Sequence, residues 1–205
     1  GKLYYQQHGE KGPLVILAHG SGAWSQFWES SFTPLVEAGF RVVAFDMPPM
    51  GYSGPVSNHQ YGRVAQSNRI ADLIRHLGEK PILVGHSFGA GPMVEAAFRA
   101  PEFIAGLVIV DGALTLNAHE TPTKMPFITR PFTLRKTIVS LTGTNPILTR
   151  TFLKQMVHKK NAITDRHIEI LQRPLSVQDT TENASYWLES LLVPPVDALS
   201  TRPAS

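Results

Sequence analysis

The sequence predicts an α/β fold in which a mostly parallel sheet carries helices on both faces and a helical cap. From residue 2 to residue 112, short apolar runs rich in β-branched residues alternate with amphipathic helical stretches, which is the pattern of such a sheet. At residues 85–89 a glycine-flanked serine joins one apolar run to a helical pattern. The 205 residues, of which 42% are apolar and 17% charged, suffice for one domain with an inserted subdomain.

Four short apolar runs are predicted to be buried parallel strands. They cover residues 14–18, 42–45, 82–84 and 107–110. Each run is too short for a helix, and each is apolar throughout, which is typical of strands that are covered on both faces.

The clearest helix lies between the second and third of these strands. Its apolar residues recur at i, i+3, i+4 and i+7, and they are Ile70, Leu73, Ile74 and Leu77. Gly78 stands where this helix should end. A second helix should begin after Ser87 and stop before Pro101.

Beyond residue 114 the strand pattern disappears, and prolines divide the chain into short helical pieces. We predict a core of residues 1–114, a helical cap of residues 115–193 and a linker of residues 194–205 that returns to the core. Three apolar stripes at helical spacing fall at 134–141, 152–157 and 187–192. The first two are expected to cover Ser87 as an apolar acyl pocket, although such stripes are also typical of plain core packing.

The strongest chemical motif is Gly85-His86-Ser87-Phe88-Gly89, a G-x-S-x-G sequence between a strand and a helix. Such a turn holds its serine in a strained backbone conformation, and its glycines are needed because a Cβ atom would collide with the neighbouring chain. We predict that Ser87 is a nucleophile that forms an acyl-enzyme. The alternative is a tight turn in which Ser87 only caps the helix.

A second motif, His19-Gly20-Ser21-Gly22, follows the first predicted strand. Acyl transfer places negative charge on an oxygen, and two backbone N–H groups must point at that oxygen. We assign these donors to Phe88, directly after the nucleophile, and to Ser21. A turn that merely needs its glycines is the alternative, and His19 is interpreted as structural rather than as the catalytic base.

With these motifs the chain resembles the α/β-hydrolase superfamily, and within it the cap-bearing serine hydrolases of the carboxylesterase and meta-cleavage-product hydrolase kind. The resemblance runs in order from residue 3 to about residue 192. It includes the segment 46–53, which usually reads D-x-P-G-x-G-x-S in the family and has Pro49 in place of the first glycine. Ala23 replaces a proline that is usual in hydrolases of ring-cleavage products.

The resemblance implies an acyl-enzyme mechanism, because relatives that open epoxides carry aspartate where Ser87 stands. We prefer a carboxylic ester hydrolase that acts on a small, apolar acyl substrate. A carbon–carbon bond hydrolase or an acyltransferase of the same fold, and a non-catalytic binding protein, are the alternatives. Neither a cofactor nor a metal is expected.

The family's order of Ser, acid and then His leaves the last two triad members unassigned in this sequence. Asp111, at the end of the fourth predicted strand, is the candidate acid, although it could equally cap the exit of the chain from the sheet. His86 should point away from Ser87. The other histidines fall in the cap, at His119, His158 and His167, or on the surface, at His8, His59 and His76.

No histidine follows His167, and nothing after Pro195 predicts a strand. We therefore expect that the chain is truncated at its C-terminus and lacks the last strands of the sheet, so that residues 107–110 form an exposed apolar edge. A missing segment or a second chain would supply the acid and the base. The 205 residues alone are expected to be inactive.

Charge and composition exclude several classes of function. The net charge of +3 and the lack of a long basic block exclude a nucleic-acid tail, and the absence of cysteine excludes disulfides and thiolate sites. The cap is locally basic, which predicts a solvated face or, alternatively, attraction to an anionic membrane surface. With no signal-like or membrane-spanning run, the compartment is undetermined and the cytoplasm is favoured.

Overall fold

The computed structural model describes residues 2–112, 130–177 and 179–192. A five-stranded sheet lies at its centre. The strands are β1 (Tyr5–His8), β2 (Leu14–Ala18), β3 (Arg41–Phe45), β4 (Ile82–His86) and β5 (Gly106–Val110). Their spatial order is β1-β3-β2-β4-β5, and every pair is parallel except β1 with β3. The four predicted strands and the mostly parallel sheet are confirmed.

Seven α-helices accompany the sheet in the described residues. Those of the core are α1 (Glu29–Glu37), α2 (Arg63–Leu77) and α3 (Ala90–Arg99). Those that follow are α4 (Phe132–Gly143), α5 (Pro146–Met156), α6 (Asp165–Gln172) and α7 (Thr180–Leu192). Both predicted core helices are present, since α2 ends at Gly78 with φ of 72° and α3 ends just before Pro101.

The central strands bury apolar side chains on both faces of the sheet. Leu14 and Ile16 of β2 point toward α2 and α3, where they pack with Ile70 and Met93. The intervening residues of β2 point to the other face and pack against α1 and the turn that precedes it. The predicted coverage of both faces by helices is therefore confirmed, and it fixes the strand ends that carry the motifs.

At one edge of the sheet, β5 is an open strand. In the part of the chain that the structure describes, β5 pairs with β4 alone. Leu107, Val108 and Val110 keep 38%, 47% and 40% of their surface exposed. The predicted exposed apolar edge is therefore present in this structure.

Helices α4 to α7 lie within the range predicted to be the cap. Helices α4 and α7 are joined by an ion pair between Lys136 and Glu182. Two hydrogen bonds join this group of helices to the core. The indole N–H of Trp24 donates to the carbonyl of Ile170 at 2.5 Å, and the hydroxyl of Tyr61 donates to the side chain of Asn183 on α7. The boundaries predicted at residues 114 and 193 stay predictions, and the predicted linker of residues 194–205 lies outside the described residues. Over the described ranges, no helix is both long enough and apolar enough to cross a membrane.

Candidate functional site

Ser87 stands on a sharp turn between the end of β4 and the start of α3. Its φ of 50° is in the left-handed region, which costs a residue with a side chain about 1–2 kcal/mol. A Cβ atom on Gly85 would lie 2.6 Å from the Cα atom of Ala90, and one on Gly89 would lie 2.5 Å from the carbonyl oxygen of His19. The geometry expected of G-x-S-x-G is therefore present, and only glycine fits on both sides of Ser87.

The turn after β2 lies directly against Ser87. A Cβ atom on Gly20 would be 2.9 Å from Nδ1 of His86 and 3.0 Å from Cβ of Ser87. The structure therefore brings the segment that contains Ser21 next to the elbow that contains Phe88. These are the two segments to which the sequence assigned the oxyanion donors.

Hydrogen bonds on both ring nitrogens of His19 fix the shape of this turn. Nδ1 of His19 lies 2.8 Å from the carbonyl oxygen of Gly20, and Nε2 accepts from the backbone N–H of Met47 at 2.9 Å. Nε2 must be unprotonated to accept, so Nδ1 carries the proton and donates. The carbonyl of Gly20 also accepts from the N–H of Ala23 at 3.3 Å, which closes a four-residue turn around the exposed Ser21.

The imidazole of His19 is held in its neutral form. It is buried, and burial lowers its pKa, while the nearby carboxylate of Asp46 opposes that shift. Because both ring nitrogens are engaged with the backbone, His19 has no free nitrogen to act as a base toward Ser87. His19 is thus a structural residue that holds the carbonyl of Gly20 in place.

The loop after β3 is organised around the buried carboxylate of Asp46. Oδ1 accepts from the N–H of Ser25 and Oδ2 from the N–H of Tyr52, each at 2.7 Å. The hydroxyl of Ser53 donates to the carbonyl of Asp46 at 2.6 Å. Gly51, with φ of 65°, faces this carboxylate so closely that a Cβ atom would lie 2.0 Å from Oδ2. The motif segment 46–53 is therefore held together by its own hydrogen bonds, and Met47 joins it to the turn around Ser21 through His19.

His86 packs against aromatic rings rather than against Ser87. Its ring stacks on Phe27 with centroids 4.9 Å apart and meets Trp28 edge-on at 6.2 Å. Its Nδ1 atom is buried without a hydrogen-bond partner in the described structure. Burial lowers the pKa of His86, and the charge of Asp111 opposes that shift.

Asp111 follows β5 at the same end of the sheet as Ser87. Val110 is the register partner of His86, so Asp111 and Ser87 come one residue after paired positions on neighbouring strands. Asp111 is exposed and has φ of 47°. It is close enough to influence His86, and its role as the acid stays a prediction.

The remaining histidines have other neighbours. His8 stacks on Phe32, His59 stacks on Tyr186, His76 lies 3.5 Å from the hydroxyl of Tyr5, His167 bonds Thr164 at the start of α6, and His158 is exposed. Across the described ranges, none of them forms a hydrogen bond with Ser87. The sequence candidate His119 lies outside those ranges.

Helix α7, rather than α4 or α5, makes the aromatic contact with the elbow. Trp187 meets Phe88 edge-on with centroids 5.3 Å apart, in a cluster with the buried Met50 and Tyr61. Phe152 and Met156 of the second stripe are instead 54% and 65% exposed. Phe152 and Met156 therefore do not pack over the elbow as predicted, whereas Trp187 of the third stripe contacts Phe88 and Val139 of the first stripe packs against the same cluster. In the sequence, the only sign of the contact between Trp187 and Phe88 is that Trp187 belongs to an apolar stripe at helical spacing.

A cavity of about 530 Å³ lies apart from this site. It is lined by residues of β1, of the loop after β3 and of α2, including Tyr5, Pro48, Arg69 and His76. None of the predicted site residues lines it. Nor, in the ranges described, do three or more acidic or histidine side chains converge where they could hold a metal ion.

Comparison with known proteins identifies relatives of the chain. The family described as alpha/beta hydrolase fold matches residues 13–150, well over half of the chain. The 2-hydroxy-6-oxononadienedioate/2-hydroxy-6-oxononatrienedioate hydrolase 2 of Pseudomonas putida is 30% identical over 115 residues, which are 54% of this chain and 40% of that protein. The AB hydrolase superfamily protein YfhM of Bacillus subtilis is 29% identical over 104 residues, which are 50% of this chain and 36% of that protein.

A solved structure shows the same fold. The Cif epoxide hydrolase from Acinetobacter nosocomialis superimposes with a TM-score of 0.74 at 22% identity, over 93% of this chain and 62% of that one. At this identity the similarity is evidence for the fold alone. The chain spans less than half the length of the two relatives compared by sequence.

Proposed function

The chain belongs to the α/β-hydrolase fold family, and from that premise we propose that it is a serine hydrolase that forms an acyl-enzyme on Ser87. The proposed substrates are carboxylic esters of small, apolar acyl groups. The apolar character is supported by the aromatic contact of Phe88 with Trp187, which places rings rather than charges beside the nucleophile.

One observation carries this proposal, namely the approach of the Gly20 turn to Ser87. Ser87 has a strained backbone with φ of 50°, and the Gly20 turn lies so close that a Cβ atom on Gly20 would be 2.9 Å from Nδ1 of His86 and 3.0 Å from Cβ of Ser87. A structural turn does not need a second glycine loop held against its serine. An acyl-transfer site does, because both oxyanion donors must lie within hydrogen-bond reach of one oxygen.

The proposed reaction has two steps. Oγ of Ser87 attacks the acyl carbon, its proton passes to a base, and the alcohol leaves with a proton returned by that base. Water then attacks the acyl-enzyme, again with the help of the base, and releases the acid and the Ser87 hydroxyl. The N–H groups of Phe88 and Ser21 stabilise the oxyanion in both steps.

The proposed reaction also needs a base and an acid. None of the imidazoles that the structure describes forms a hydrogen bond with Ser87, so we assign the base to His119 or to residues outside this chain, in a longer form of the protein or in a second chain. Asp111 is the candidate acid, supported by its position beside the strand that leads to Ser87. If the base lies outside the 205 residues, these alone should retain at most a rate roughly 10³–10⁴ above water from the oxyanion donors and binding.

A second candidate is hydrolysis of a carbon–carbon bond in a vinylogous diketone. It is supported by the resemblance of residues 19–22 to the turn of ring-cleavage-product hydrolases and by the name of the Pseudomonas putida relative. The replacement of a usual proline by Ala23 weighs against it. Both candidates use Ser87, so they differ in substrate rather than in nucleophile.

The proposal is tested by kinetics on the longest natural form of the protein. We expect hydrolysis of short aryl esters, and Ser87→Ala should lower turnover on the order of a million-fold without changing the fold. Activity of Ser87→Ala within tenfold of the parent would refute the role of Ser87. A preference for vinylogous diketones over aryl esters would favour the second candidate.

A further inference from the structure

Helix α5 presents an apolar face to solvent. Leu148, Phe152 and Met156 recur every four residues and form one stripe, and Ile147, on another side of the helix, is exposed as well. Their exposed fractions are 45%, 54%, 65% and 73%, in the order Leu148, Phe152, Met156 and Ile147. Four large apolar side chains at these exposures on one short helix exceed the scattered exposure that is normal on a soluble surface.

The side of the same helix next to this stripe faces α6. Thr149 lies within 3.3 Å of the side-chain amide of Gln172 on α6, and Leu153 is half-buried. The orientation of α5 is therefore fixed by packing, which directs the apolar stripe outward.

Positive charge lies close to the C-terminal end of this stripe. Residues 121–164 contain no aspartate or glutamate. Arg150 pairs with Asp165 of the next helix. Lys154, Lys159 and Lys160 have no ion-pair partner among the described residues, and the last two lie three and four residues after Met156, beyond the end of the helix.

We propose that the α5 face docks on the surface of an anionic lipid bilayer. An apolar stripe bordered by lysines is the arrangement of helices that lie in the interface plane, where the stripe enters the boundary of headgroups and acyl chains and the lysines meet lipid phosphates. A second copy of the chain fits this face less well, because two such faces would bring unpaired lysines together. The inference goes beyond the proposed function and holds whether or not Ser87 is a nucleophile.

Sedimentation with lipid vesicles tests the proposal, again on the longest natural form of the protein. Vesicles of phosphatidylcholine with about one third phosphatidylserine should bind the protein, and vesicles of phosphatidylcholine alone should bind it far more weakly. The double variant Lys159→Gln/Lys160→Gln should weaken binding about 25-fold, at about fivefold per lysine. Phe152→Ser should weaken it on the order of tenfold.

Two matched control variants test whether vesicle binding depends on the α5 face or on exposed apolar side chains and lysines in general. Phe98→Ser removes a phenylalanine that is 56% exposed on α3. Lys11→Gln/Lys80→Gln removes two exposed lysines that lie outside the predicted cap. Both should leave vesicle binding unchanged. Equal losses in the controls, equal binding to neutral vesicles, or no binding would overturn the proposal. A dimer in sedimentation velocity that Phe152→Ser dissociates would assign the face to a second copy and would overturn it too.

Discussion

The backbone N–H of Met47 donates to Nε2 of His19 at 2.9 Å and so joins the loop after β3 to the turn after β2. The same imidazole holds the carbonyl of Gly20 through its other nitrogen. The position of the Ser21 N–H thus depends on a buried histidine that contacts no substrate. His19 is a positioning residue in this account.

The first prediction concerns acid stability. Because burial lowers the pKa of His19 below the ordinary value of 6.5, the unfolded chain takes up this proton more readily than the folded protein. The contribution of His19 to stability is complete above pH 6.5 and is lost as the pH falls from 6.5 toward its lowered folded pKa, at no more than about 1.4 kcal/mol per pH unit.

Denaturant unfolding between neutral and mildly acidic pH measures this loss. His19→Gln should be less stable at neutral pH and should show a flatter dependence on pH. His158→Gln, at an exposed histidine, is the matched control. An unchanged slope in His19→Gln would show that His19 does not titrate with folding, and any slope that remains is expected from His86, whose pKa is lowered as well.

The second prediction separates the backbone of Ser21 from its side chain. Ser21 is the second residue of the turn that the Ala23 N–H closes, and Gly22 has φ of 68° in the third position, where a type II turn requires it. Proline is favoured at the second position of such a turn. Ser21→Pro therefore removes one N–H while the turn is kept.

We expect Ser21→Pro to lower kcat on the order of 10²–10³-fold with little change in KM, and Ser21→Ala to be nearly neutral. Steady-state kinetics on an aryl ester measures both. A large loss in Ser21→Ala, or none in Ser21→Pro, would assign the donor to another residue.

The third prediction compares two glycines that both have positive φ. Gly51 has φ of 65° and faces Asp46, whereas Gly39 has φ of 89° and has open space around its Cα atom. Gly39→Ala should cost about 1–2 kcal/mol of unfolding free energy from backbone strain alone. Gly51→Ala should cost about 1–3 kcal/mol more, because the new methyl group displaces the Asp46 carboxylate. Equal costs in thermal unfolding would mean that the loop after β3 accommodates the new methyl group without a further loss of unfolding free energy.

The sequence predicted the parts of the fold that local pattern specifies. The central strands are continuous apolar runs, and α2 shows a regular helical period that ends at a glycine. The first strand and α1 were missed. The four residues of β1 are mostly half-buried at an antiparallel edge and include two glutamines, so they show no apolar run, and α1 contains Pro34 in its interior.

The site was predictable only where its residues are close in sequence. The elbow and the glycine turn are contiguous motifs, and the structure places them together. The bond of His19 to Met47 spans 28 residues, and the contact of Phe88 with Trp187 joins two segments that pack only in the folded chain. Such pairs depend on tertiary packing, which no local period encodes.

The fourth prediction tests that long-range contact. Trp187 is buried against Phe88, so Trp187→Ala should lower the free energy of unfolding by about 3–5 kcal/mol and should change the preference for acyl chain length. Phe152→Ala, at an exposed position, should stay within about 0.5 kcal/mol and keep the preference. Unfolding curves and an ester series measure the two effects. A change of preference in Phe152→Ala alone would restore α5 as the wall of the acyl pocket.

The nucleophilic role of Ser87 is tested most directly by reaction with a fluorophosphonate probe, followed by mass spectrometry of the digested protein. In the longest natural form, the peptide that contains Ser87 should gain the mass of the probe, because the probe phosphonylates an activated serine. Ser87→Ala should not be labelled, while Ser57→Ala, at an exposed serine outside the site, should be labelled like the parent. A folded protein that hydrolyses esters but carries the probe elsewhere, or carries none, would contradict the account.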